Sequence, residues 1–202
     1  MEESNIHLLV SPYTKQNVKC SVLIPALMLN NLFEINVKEN IINTFEGKCI
    51  DQYGFINKIY KIIDIEGGKI EAENQGCTPR FKITFYALVC YPIIKRCIVC
   101  KIQNITEGLT IGKNGPIDCI ITSDEIDNNN FFVDNEFNLR IKKTSALLKE
   151  GDFVKVMVNS INFKNNDSTI NDYNVILVIT TLIDMATEDE INSTYLHNNF
   201  IE

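Results

Sequence analysis

The chain has no tryptophan, only two histidines, and no apolar run near the length of a membrane span. A spanning helix needs roughly 20 consecutive apolar residues, so that class is not expected. The segment Met1-Glu2-Glu3-Ser4 also lacks the basic region and apolar stretch of a signal peptide, and the chain is expected to stay inside the cell. His7 and His197 stand near the two ends, so a Cys-His nucleophile pair would have to fold one of them beside an unrelated cysteine. There is no phosphate loop either. Gly108, Gly112 and Gly115 are spaced as hairpin glycines, with no Lys-Ser/Thr following a glycine cradle.

Cysteine is present, but its pattern excludes more than it suggests. The seven cysteines are odd in number, and Cys90, Cys97, Cys100 and Cys119 sit inside apolar strand-like runs, which suits buried thiols in a reducing compartment rather than a disulfide framework. Cys97-Ile98-Val99-Cys100 has the spacing of a metal knuckle. Structural zinc needs four ligands, however, and no second pair follows. Residues three apart on a strand also point to opposite faces. No cofactor, metal site or catalytic constellation is expected.

Basic charge is scarce as well. The net charge is −7, and it is uneven: residues 1–92 hold nine Lys/Arg against ten Asp/Glu, residues 93–202 ten against sixteen. Domains that grip nucleic acid nonspecifically are usually basic, because Lys and Arg displace counterions. Any nucleic-acid contact must therefore be a local patch.

What remains is the composition of a globular protein, 45% hydrophobic and 22% charged over 202 residues, enough for one large domain or two small ones at about 100 to 200 residues each. Asn and Ile are abundant, a bias of AT-rich genomes that suits a protist or a large DNA virus. Ile6–Val10 and Val18–Ile24 read as strands around a turn at Pro12. Met28, Leu32, Ile35, Ile42 and Phe45 predict the apolar stripe of a helix running from Pro25 to a cap near Gly47. Lys48–Ile65 reads as a strand covered on both sides, with Phe55, Ile59, Ile63 and Ile65 on one face and Ile56, Tyr60 and Ile62 on the other. Gly67-Gly68 reads as a turn, Lys69–Ala72 as the returning strand, and Glu73–Pro79 as a loop. Phe81–Tyr91 is a long strand that Pro92 ends.

Beyond Pro92 the spacing predicts a five-stranded OB barrel of the S1 type: Arg96–Ile105, Leu109–Lys113, Ile117–Thr122, Phe153–Asn162 and Val175–Asp184. Turns are expected at Glu107-Gly108, Asn114-Gly115-Pro116 and Lys164–Thr169. Asp124–Lys143 reads as an extended loop or insertion, and Ala186–Glu202 as an acidic tail or short helix free to dock on a partner.

Three segments taken in order, Glu46-Gly47-Lys48-Cys49, Tyr53-Gly54-Phe55-Ile56 and Gly115-Pro116-Ile117, give the chain a resemblance to a known family. It resembles the stalk subunit of multisubunit RNA polymerases, the family of the seventh subunit of eukaryotic RNA polymerase II and its archaeal E-prime counterpart, over roughly its first two thirds. The resemblance implies an α+β protein: a truncated RNP-like sheet-plus-helix tip domain at 1–92, an S1-type OB β-barrel at 93–186 with an insertion at about 124–143, and an acidic tail at 187–202. It implies a noncatalytic subunit that docks on the polymerase core near the clamp and pairs with a smaller stalk partner. Carried over by position, Tyr53, Gly54, Phe55, Gly67 and Gly68 are the candidates for the core-docking tip; the alternative for Gly54 and Phe55 is that they bend and fill the sheet. Phe85, Tyr91 and Pro92 are candidates for the domain junction and partner contact. Where the family places a Gly-Glu pair after the proline, this chain has Lys95-Arg96. The expected compartment is the nucleus for a cellular eukaryotic version, and the virion or cytoplasmic virus factory for a viral one.

OB domains hold single strands by stacking bases on exposed aromatics while basic side chains follow the backbone. From Ile93 through Thr122 there is no Phe, Tyr or Trp, so the expected platform is poor. Lys101, Lys113, Arg140, Lys142, Lys143 and Lys155 are the candidates for a weak path along exiting RNA, with Phe131 or Phe153 as stackers; ordinary solvated lysines are the competing reading. The rival function is a free-standing S1-type RNA-binding factor of translation or RNA decay.

Overall fold

The computed structural model describes residues 8–50, 52–70, 78–106, 108–134, 139–164 and 175–195. Thr14–Cys90 form one compact unit, and the chain up to Tyr13 and from Tyr91 onward forms a second. The fold is α+β: the described residues are mostly strand, with two short α-helices and a closed five-stranded barrel among them.

In the first unit, β1 (Tyr13–Leu23), β2 (Cys49–Ile50), β3 (Gly54–Lys69) and β4 (Arg80–Cys90) form a sheet in the order β1-β4-β3-β2, with helix α1 (Phe33–Phe45) packed on it. Val18 and Ile24 of the β1 segment, Val37 and Ile41 of α1, and Ile83, Phe85 and Val89 of β4 are wholly or almost wholly buried at its centre. Each such side chain stabilises the fold by about 1.5–3 kcal/mol relative to exposure.

The helix is shorter than the pattern predicts and turned about its axis. A 3-10 turn occupies Ala26–Met28, and Asn30 interrupts the path: its side-chain oxygen accepts from Leu32 N at 2.8 Å and its carbonyl from Phe33 N at 2.9 Å. Asparagine competes in this way with helical backbone bonding, so α1 starts only after it. The inward face is Phe33, Val37, Ile41 and Phe45, spaced by four, with Ile42 beside it; of the expected stripe, Met28, Ile42 and Phe45 pack against the core, whereas Leu32 and Ile35 are exposed.

Strand β3 departs furthest from expectation. Gly67 and Gly68 do not turn the chain; they lie within β3, where Gly67 pairs with Phe81 and Lys69 with Arg80. Their φ angles of 106° and 95° suit glycine alone, and they serve an irregularity in the ladder rather than a hairpin end. Such irregularities recur. Ile56, Ile59, Ile62 and Ile65 pair with Val89, Ala87, Phe85 and Ile83, so β3 advances three residues while β4 advances two, leaving Asn57, Tyr60 and Ile63 without partners in the ladder. Isoleucines that strict alternation assigns to both faces all reach the core. The strand predicted at Lys69–Ala72 and the loop at Glu73–Pro79 fall largely outside the described residues; Thr78 and Pro79 are coil.

In the second unit, β5 (Cys97–Thr106), β6 (Leu109–Asn114), β7 (Ile117–Thr122), β10 (Phe153–Lys164) and β11 (Val175–Met185) close in the order β5-β6-β7-β11-β10-β5. Every neighbouring pair is antiparallel except β11 with β7, which is parallel. This is an OB-like barrel. Its interior takes alternate residues, including Ile98, Cys100 and Ile102 of β5, Ile117, Cys119 and Ile121 of β7, and Val154, Val156 and Val158 of β10. Gly112 of β6 is there for space: a Cβ at that position would lie 2.5 Å from Cys100 Sγ.

Two segments are more ordered than the sequence suggests. The stretch read as a loop carries a hairpin of β8 (Phe131–Val133) and β9 (Leu139–Ile141), anchored by the buried Phe131, and Ile126 bridges Leu182 of β11. The acidic tail begins with helix α2 (Glu188–Thr194), whose capping box joins Thr187 and Glu190; residues 196–202 lie outside the described set. By contrast the predicted strand Ile6–Val10, whose first two residues are not described, reduces to a bridge between Leu9 and Cys97. Gly108 of the turn expected at Glu107-Gly108 stands at φ 82° where β5 reverses into β6, whereas Lys164 ends β10 and 165–169 lie outside the described residues.

Candidate docking and nucleic-acid surfaces

The Glu-Gly motif acts on the first unit's own backbone. Glu46 Oε2 accepts from Ile59 N at 2.9 Å, Gly47 N donates to Ile56 O at 2.8 Å, and Ile56 N donates to Lys48 O at 2.9 Å. Helix α1 thus ends stitched to β3 on either side of Asn57, which has no partner in the ladder.

The five residues expected at one tip stand at the two ends of β3. Tyr53, Gly54 and Phe55 are at its start: the Tyr53 hydroxyl accepts from Lys19 N at 3.3 Å, Gly54 is buried and pairs with Ile50, and Phe55 pairs with Cys49 and Cys90. Gly67 and Gly68 are at the other end, where the Phe81 ring covers Gly68 and lies 5.4 Å from the ring of Phe33. At that second end Ile24 N donates to Pro79 O. An apolar surface missed by the sequence reading follows: Leu23, Leu27, Leu29, Leu32 and Ile35 are all exposed, Leu27 to 91%. The available signal was a density of leucines on either side of Pro25 and Asn30, which a helix-stripe reading sends to the core.

Of the junction candidates, Phe85 is fully buried and stacks on Phe45 at 6.1 Å, so its contribution is packing. Tyr91 is 43% exposed, with its ring 5.4 Å from Phe163 and its amide donating to Pro12 O at 2.8 Å. Pro92 is buried, and Ile93 and Ile94, which follow it, are about half exposed. Lys95 adopts φ 61°, the left-handed region, at the position where the family's glycine is expected.

Each of the six basic candidates has a neighbouring group, close for Arg140 and Lys155 and looser for the half-exposed or exposed Lys113 and Lys143. Lys113 pairs with Asp118 at 3.8 Å, Arg140 with Asp134 at 2.7 Å, Lys143 with Asp184 at 3.8 Å and Lys155 with Glu190 at 2.7 Å. Lys142 donates to Asn128 O, and Lys101 Nζ lies 5.7 Å from the centre of the Phe153 ring. Of the two proposed stackers, Phe131 is buried and Phe153 is half-buried.

Helix α2 meets this surface. Glu190 holds Lys155, Tyr195 sets its ring edge-on to Phe153 at 5.0 Å, and Asn114 Nδ2 donates to Thr194 O at 3.1 Å. Asn114, fully buried, also donates to Val99 O, and the Tyr13 hydroxyl lies 2.8 Å from its carbonyl and 3.0 Å from its Oδ1. Burial opposes charge on Glu190, but hydrogen bonds from Lys155 and Thr187 outweigh it and hold the carboxyl below its ordinary range. Burial pushes the Cys97 thiol up, against the pull of Lys155 and with the push of Glu190. Cys20 is raised to about 11 by burial, so both thiols stay protonated at neutral pH. Among the described residues no cluster of His, Cys, Asp and Glu could hold a metal ion, and no helix is long and apolar enough to cross a membrane.

No family model matches the chain. A protein of Acanthamoeba polyphaga mimivirus, named provisionally as a DNA-directed RNA polymerase subunit, is 34% identical over 180 residues, covering 89% of this chain and 85% of its own length.

Proposed function

Because the chain belongs to the family of this DNA-directed RNA polymerase subunit, we propose that it serves as a noncatalytic stalk subunit, docking on the polymerase core near the clamp. In this reading Thr14–Cys90 is the truncated RNP-like tip domain and the barrel an S1-type OB domain facing exiting RNA. A smaller stalk partner covers Tyr91, Ile93 and Ile94. The chain needs no active site of its own. A docked subunit favours one clamp position by binding that state more tightly than the other, since a partner shifts an equilibrium only by differential affinity. The compartment follows the polymerase: the nucleus for a cellular enzyme, a virion or virus factory for a viral one.

The observation that carries the docking is the concentration, close together in sequence, of the exposed apolar residues Leu23, Leu27, Leu29, Leu32 and Ile35. Clusters of this kind mark protein contacts. Gly67 and Gly68 lie at the end of β3 beside Phe81 and Phe33, whereas Tyr53, Gly54 and Phe55 build the sheet at the other.

Affinity purification of the tagged chain from its native source, followed by mass spectrometry, tests the assignment. Large polymerase subunits are expected at fixed stoichiometry. The paired change Leu27→Glu and Leu32→Glu should reduce their recovery at least about tenfold while leaving thermal unfolding unchanged, since both side chains are exposed. Recovery with ribosomes and without transcription machinery refutes the stalk reading in favour of a translation factor.

A further inference from the structure

Alternation along β10 sends Val154 and Val156 into the barrel and Phe153 and Lys155 to its outer face. In register, Phe153 faces Lys101 on β5 and Lys155 faces Val99. The outer face therefore carries an aromatic ring with one ammonium group over it and a second cation two residues on, about 7 Å away along the strand. A ring that can stack a base, flanked by cations that can pair with phosphates, is the chemistry of single-strand recognition.

Helix α2 covers that face with matching groups. Glu190 Oε1, 2.7 Å from Lys155 Nζ, stands where a phosphate oxygen would, and Tyr195, edge-on to Phe153 at 5.0 Å, takes up space beside the ring that a stacked base would need. We propose that Lys101, Phe153 and Lys155 form a binding site for single-stranded RNA that the chain's own helix α2 fills in this structure. The proposal rests on the reading that the barrel faces transcript, and it deepens that reading by naming the site and what controls it.

What singles out this face is where its acid resides. Asp118, Asp134 and Asp184, the acids beside Lys113, Arg140 and Lys143, are carried by the barrel's own strands or directly follow β8, so their backbone stays in place while the barrel is folded. The acid on Lys155 rides on a seven-residue helix, below the length at which a helix persists alone in water. Glu190, Tyr195 and Thr194 are among the residues that attach it to the barrel. RNA competes with α2 for the same two groups, and displacing the helix exchanges one acid on Lys155 for another.

The test is fluorescence anisotropy with a labelled ten-nucleotide oligouridine at low salt, on the full chain. Glu190→Ala with Tyr195→Ala should bind at least about tenfold more tightly than the unaltered protein. Adding Lys155→Ala or Phe153→Ala should remove the gain. Hydrogen exchange shows whether the amides of Ile191 and Tyr195 lose protection while those of β5 keep it. Undocking without a gain in affinity overturns the proposal, as does a gain that survives loss of Lys155 and Phe153, or one equal for duplex RNA. Should the double variant unfold, Glu190→Gln retains the capping acceptor and frees only the charge of Lys155; a gain of about threefold is then expected, and none overturns the proposal. Copurification of polymerase subunits with the same variants reports on the stalk reading separately, because the leucine-rich end is untouched.

Discussion

Lys155 and Glu190, 35 positions apart in the chain, meet with Nζ and Oε1 2.7 Å apart, each side chain only about a fifth exposed. Folded, Glu190 keeps its charge to lower pH than an ordinary glutamate, because Lys155 and Thr187 hold it against the opposing effect of burial. Its contribution is complete above the ordinary value of about 4.3 and is lost as pH falls through the lowered folded value. Glu190→Gln should lower the melting temperature at pH 7 by about 2–4 °C, the shift for about 1 kcal/mol in a chain of this size. Melting both proteins from pH 7 to pH 3 should show the gap closing below about pH 4; a constant gap would mean that the carboxylate's charge is irrelevant.

The barrel's tightest approach lies between Cys100 and Gly112. Gly112→Ala places a methyl 2.5 Å from Cys100 Sγ with both residues buried, and should cost about 1–3 kcal/mol in urea unfolding. Cys100→Ala in the same chain should recover much of that loss. Additive effects would show that the two positions do not compete for space.

Glu46→Ala should leave the Ile59 amide without its acceptor and destabilise the first unit by about 1–3 kcal/mol. Glu46→Gln retains a side-chain oxygen and should lose clearly less. Faster hydrogen exchange at Ile59 in the alanine variant alone would identify the bond as the cause.

Lys95 bears a Cβ in a backbone conformation that glycine adopts without strain. Lys95→Gly should therefore stabilise the protein by about 0.5–1 kcal/mol despite the greater freedom of its unfolded chain. Equilibrium denaturation measures the sign, and a loss of stability would show that the lysine side chain contributes more than its backbone strain costs.

The barrel was legible in the sequence because strands such as β7 alternate cleanly: Ile117, Cys119 and Ile121 go inside while Asp118, Ile120 and Thr122 do not. The hairpin of the first unit was not, because Ile56, Ile59, Ile62 and Ile65 recur every three residues, a spacing that a strand accommodates only by repeated irregularity in its ladder. Leu32 and Ile35 were misread for another reason. Asn30 delays the helix through a side-chain bond, and periodicity counts apolar residues without registering where a helix can begin. The basic candidates were visible as residues, but not the acids beside them. Arg140 meets Asp134 across a hairpin and Lys155 meets Glu190 across most of the last two barrel strands, pairings created only by folding.

The unequal strides of β3 and β4 make their hairpin a ratchet with irregular teeth. Sliding one strand by a single position would misplace every kink at once and turn the isoleucine row away from Val89, Ala87, Phe85 and Ile83. Two strands that mesh at one setting hold the spacing between Gly67 and Cys90 against slippage.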